Sequence, residues 1–89
     1  MHFQKQDLNG TEYYWTEDSA TLFTGQPSRR SFDRRNGNQL LFLINFYGSL
    51  SGQFTLQEGQ QIEQKIVHEL PEDAKSELSV FNWIRQELV

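Results

Sequence analysis

Residues 39–47 read Gln-Leu-Leu-Phe-Leu-Ile-Asn-Phe-Tyr, the most apolar run in the chain, and carry no charge. No other stretch constrains the fold as much. The run is far too short for a membrane span, which needs ~20 apolar residues. Turn formers bound it, with Asn36-Gly37-Asn38 before and Gly48-Ser49 after. A short apolar run of branched and aromatic residues between such signals reads as a buried strand. Alternation would then put Leu40, Phe42, Ile44 and Phe46 on one face, and Leu41, Leu43, Asn45 and Tyr47 on the other.

The preceding residues are punctuated like an antiparallel sheet. Asn9-Gly10 suits a tight hairpin, because its central residues need positive φ. Residues 12–15 (Glu-Tyr-Tyr-Trp) are strand formers, residues 21–24 are a short candidate, and residues 28–35 are the next. Asn36-Gly37 would return the chain into the apolar run. Two registers fit that turn, and the three-residue loop places Phe32 beside Leu40, on the richer apolar face. The expectation is a meander of four or five strands within residues 2–47.

After Thr55 the period becomes helical. Thr55-Leu-Gln-Glu58 is a capping-box pattern. Ile62, Ile66 and Leu70 form a stripe on which Gly59 also lies, and a glycine there invites close approach of the sheet. Pro71 ends this helix. Ser76 can cap a second one, whose stripe is Val80, Phe81, Ile84 and Leu88, with Trp83 off its centre. The pattern predicts helices over 56–70 and 77–88. Amphipathic helices after strands imply a two-layer α+β fold in a single domain, 1–89, with both helices on one sheet face. The core would join Leu40, Phe42, Ile44 and Phe46 to Ile62, Ile66, Leu70, Phe81, Ile84 and Leu88.

Chemical signatures are missing. There is no cysteine, and the only histidines, His2 and His68, are far apart, so no metal-ligand spacing exists. Gly48-Ser-Leu-Ser-Gly52 lacks the lysine of a phosphate loop. No serine has an identifiable base, and Glu12, Glu17 and Asp18 read as solvated acids near a turn. The expectation is a protein that is not an enzyme and holds no cofactor or metal. The first residues lack the apolar core of a signal peptide, which with the absence of cysteine points to the cytoplasm.

The formal charge is −4. All of it resides in residues 55–89, where seven acids face three bases; residues 1–54 balance. Within the balanced half, Arg29, Arg30, Arg34 and Arg35 cluster around Asp33. Two functions are consistent with these features. The first is a non-catalytic interaction module acting through the open sheet face, as a homodimer or with a protein partner, for which Leu41, Leu43, Tyr47 and Trp83 are the candidate interface residues. The alternative is a nucleic-acid-binding module using Arg29, Arg30, Arg34 and Arg35 on phosphates. Edge protection of a strand and surface ion pairs are the ordinary roles for such arginines.

Overall fold

Asn36 does not turn a hairpin; it caps a helix. Its side-chain oxygen accepts the Gln39 N–H at 3.2 Å, and its carbonyl accepts the Leu40 N–H at 3.0 Å. In the computed structural model, which describes residues 3–10, 12–15, 26–50, 52 and 54–87, helix α1 spans Gly37–Leu50. The apolar run is therefore helical. Its Leu40, Leu43, Ile44 and Tyr47 follow the i, i+3, i+4, i+7 spacing of one helix face. Leu40, Leu43 and Ile44 are fully buried, while Phe42, Phe46, Leu41 and Tyr47 are half-buried around them. An apolar run this dense fits either period, so alternation alone could not decide between them. Length decides, because the element continues through Gly48 and Ser49 to fourteen residues.

Helix α2 is Leu56–Glu69 and α3 is Glu77–Glu87. Thr55 accepts the Glu58 N–H at 3.2 Å, and Leu70 turns extended before Pro71. Ser76 accepts the Ser79 N–H at 3.1 Å. Residue 88, expected at the end of the last stripe, lies outside the described residues. The three helices enclose one core of Leu40, Leu43, Ile44, Ile62, Ile66, Val80, Phe81 and Ile84, completed by Phe3. Phe81 stacks edge-on to Phe46, with ring centroids 5.1 Å apart.

The α+β expectation is corrected accordingly. The described residues hold three helices and a short 3-10 turn, Lys5–Asp7, and no strand. Among the described residues two isolated bridges are what resembles sheet: Tyr14 with Asn36, parallel, and Ser31 with Ser76, antiparallel. Residues 21–24 lie outside the described residues. Among the described residues there is no sheet, and Leu41, Leu43 and Tyr47 lie on a helix, so the sheet face expected to carry them is not formed.

Residues 3–10, 12–15 and 26–36 are laid over the helices and pinned. The Phe3 ring is buried against Gly59, where a Cβ would collide with the ring carbons. Asn45, from inside α1, holds the Phe3 backbone: its Oδ1 accepts the Phe3 N–H at 2.6 Å and its Nδ2 donates to the Phe3 carbonyl at 2.9 Å. Gly37 plays the same part for Trp15, whose ring would lie 2.6 Å from an added Cβ. Gly59 thus admits a ring of the chain's own leading segment rather than a sheet.

Candidate functional site

Two acids sit where helical spacing puts core. Glu63 lies four residues after Gly59 and three before Ile66; Glu77 lies three before Val80 and four before Phe81. Both are fully buried. A buried carboxylate is tolerated only when it is fully hydrogen-bonded or paired. Glu63 accepts the Asn9 N–H at 2.7 Å, the Gly10 N–H at 2.9 Å and the Tyr13 hydroxyl at 2.5 Å. Glu77 accepts the Gln39 amide at 2.8 Å and the Ser28 N–H and hydroxyl at 3.2 and 3.3 Å, and meets the Arg30 guanidinium at 3.3 Å. Gln39 completes this second hub by donating to the Ser31 carbonyl and accepting the Asp33 N–H. Each acid therefore fastens a loop to a helix. The Asn9-Gly10 pair, read as a hairpin turn, spends its two N–H groups on Glu63.

The first hub shapes a cleft of about 440 Å³. One wall is the segment held by Glu63, with Gly10, Glu12 and Tyr13. The second is the turn bearing Arg34 and Arg35. The floor is the last part of α2, with Gln64, Val67 and His68. Three regions distant in sequence meet here, so the cleft is a product of the tertiary fold.

The four arginines separate into different roles. Arg30 is spent on Glu77. Arg34 donates to the Val67 carbonyl at 3.2 Å, satisfying one of the last carbonyls of α2, where a cation also suits the helix dipole. Arg35 lines the cleft beside it, exposed, and its guanidinium has no ion pair among the described residues. Its backbone is fixed: the Arg35 carbonyl accepts the Tyr14 N–H at 2.9 Å, and its own N–H donates to Asp33 at 2.9 Å. Arg29 is exposed, outside the cleft lining. His68, read as a solvated residue, is exposed at the cleft's end.

Tyr13 is held in its neutral form. Burial, then the hydrogen bond to Glu63 and that carboxylate's charge, push its hydroxyl well above the ordinary tyrosine range. Tyr14 is exposed and its hydroxyl donates to Asp33 at 2.8 Å, which also raises it.

The expected interface residues stand elsewhere. Leu43 is in the core, while Leu41, Tyr47 and Trp83 are half-buried and packed against it. None of them lines the cleft. Sequence reading missed Glu63 and Glu77 as organisers, although an acid on a helix's apolar stripe was the available signal for both. Among the described residues there is no cluster of acids and histidines able to hold a metal ion, and no helix long and apolar enough to cross a membrane. Comparison with family models, with curated proteins and with solved structures found no match.

Proposed function

We propose that the chain is a small non-catalytic interaction module that binds an acidic segment of a partner protein in the cleft between Gly10, Arg35 and His68. The observation that carries this reading is Arg35. Its guanidinium has no ion pair among the described residues, and its backbone is pinned at both its N–H and its carbonyl, so only the side chain is left to order when a ligand arrives. Arg34 adds a second positive charge beside it and His68 a third donor. Such an arrangement favours a carboxylate, which a guanidinium can hold with paired hydrogen bonds.

The net charge of −4 does not oppose this strongly. At physiological salt, charges are screened beyond ~8 Å, so the nearest groups dominate. Of the cleft's two acids, Glu63 is enclosed by its three donors, whereas Glu12 is exposed and works against an acidic ligand.

Titration of the labelled protein with a short oligoglutamate peptide, followed by amide NMR, tests the proposal. Saturable shifts at Gly10, Arg35 and His68 are expected, weakened about tenfold (~1.4 kcal/mol) in Arg35→Ala. Glu12→Gln should strengthen binding. An oligolysine peptide that binds as well, or no saturable shift with oligoglutamate, would defeat the reading. A mixed-sequence oligonucleotide bound with steep salt dependence would instead favour recognition of phosphates.

A further inference from the structure

The exposed face of α2 carries a stripe without charge. Gln57, Gln61, Gln64 and His68 recur at spacings of four, three and four, which places them in one line along the helix. All four are exposed. Gln60, Lys65 and Glu69, beside the stripe, are already engaged. On one side Gln60 donates to the Asp7 carbonyl at 3.1 Å. On the other, Lys65 pairs with Glu69 at 3.3 Å and with Glu87 at 3.8 Å. The side-chain amides of Gln57, Gln61 and Gln64 have no hydrogen-bond partner among the described residues.

Gln57, Gln61 and Gln64 line a shallow groove of about 500 Å³, together with Asn9, Gln60 and the paired Lys65 and Glu69. Groove and cleft share Asn9 and Gln64, so they adjoin along α2. The arginine cleft and the groove together form a longer channel along α2.

We infer that the channel takes an extended peptide from a partner protein, with its acidic residue in the cleft at Arg35 and its backbone along the glutamines. This deepens the function proposed above and rests on it. Three features argue for a polypeptide. A glutamine amide offers both a donor and an acceptor, as a peptide backbone does. Charge is depleted along the stripe, which is characteristic of the core of a protein interface. A nucleic acid would need several cations along the groove, and the one that lines it, Lys65, is already paired with Glu69 and Glu87. Length follows from geometry. From Gln57 to His68 the helix rises about 16 Å at ~1.5 Å per residue. An extended peptide advances ~3.3 Å per residue, so about five residues span the channel.

The test compares two probes by amide NMR. One is an N-acetylated, C-amidated single glutamate. The other is a peptide of about six residues with two glutamates at one end and serine and asparagine in the remaining positions, made in both orientations. The longer probe is expected to shift the side-chain amides of Gln57, Gln61 and Gln64, and to bind at least about tenfold more tightly than the single glutamate. Replacing Gln57 and Gln61 together by alanine, neither of which lines the cleft, should remove that advantage and leave the single glutamate unaffected. Both positions are exposed, and an unchanged circular dichroism spectrum verifies that the variant folds. Arg35→Ala should weaken both probes.

Shifts confined to Gly10, Arg35 and His68 with either orientation, together with no effect of the glutamine changes, would overturn the channel and leave the acidic cleft standing. No shift with either probe would overturn both. Shifts of the stripe that follow protein concentration alone would assign it to a second copy of the chain and overturn the peptide.

Discussion

Gly59→Ala is the sharpest probe of how the leading segment is held. Alanine is the better helix former by ~1 kcal/mol, so an exposed glycine in α2 would gain stability from the change. Gly59 is buried, and an added Cβ collides with the Phe3 ring. Overpacking of this kind costs ~1–3 kcal/mol. The balance is a net loss of ~0–2 kcal/mol in the wild-type background. Removing the ring removes the collision, so in Phe3→Ala the same substitution should stabilise by ~1 kcal/mol. Phe3→Ala alone should cost ~3–5 kcal/mol, since the ring is fully buried. The two positions are therefore expected to couple by ~1–3 kcal/mol in a double-mutant cycle, measured by urea unfolding of the four proteins. If Phe3→Ala is too unstable to measure, Phe3→Leu serves, with a smaller coupling of the same sign. Equal effects of Gly59→Ala in both backgrounds would refute the placement of Phe3 on α2.

Further expectations follow from the buried acids and the core. Glu77→Ala strips the acceptor from Gln39, Ser28 and Arg30 and should cost about 2–3 kcal/mol in chemical unfolding, below the usual range for breaking a buried pair because Arg30 is about a third exposed and can be rehydrated. Leu43→Glu places a carboxylate in the centre of the core and should abolish the cooperative thermal transition rather than yield a soluble folded monomer. Asn45→Ala should raise hydrogen exchange at Phe3 by releasing both of its backbone bonds. Because the Tyr13 hydroxyl is raised in the folded protein, the folded state holds that proton more tightly than the unfolded chain; its contribution is full below pH ~10 and declines as the pH rises above that value. Tyr13→Phe should therefore lose less stability than wild type over the same alkaline range.

The two later helices were legible because their apolar residues recur at one period only. Ile62, Ile66, Val80, Phe81 and Ile84 all occupy the core, as their spacing implies. The first helix was hidden by excess, since residues 39–47 are apolar at nearly every position and satisfy both periods. Two local clues pointed the other way. Asn36 stands three residues before Gln39, a capping spacing, and the run is rich in leucine, with Ile44 its sole β-branched residue. Asn36-Gly37 carried the hairpin signal instead, although Gly37 is there to receive the Trp15 ring.

The arginine cluster was visible, but its division was not. Which guanidinium is spent depends on Glu77 and on the Val67 carbonyl, both more than thirty residues away in the chain. The cleft shares that origin. Its walls bring together Gly10 and Tyr13, Arg34 and Arg35, and Gln64 and His68, and no local pattern announces that they meet.

The whole account depends on α1. If residues 37–50 are helical, the turn before them carries Arg35 to α2 and the cleft exists; if they form a strand, Arg34 and Arg35 move with the sheet and the cleft dissolves. Backbone ¹³Cα and ¹³Cβ secondary shifts across these residues measure the difference directly. An unbroken run of helical shifts from Asn38 to Ser49 is expected. Strand-type shifts over residues 39–47 would contradict the fold, and with it the cleft built upon it.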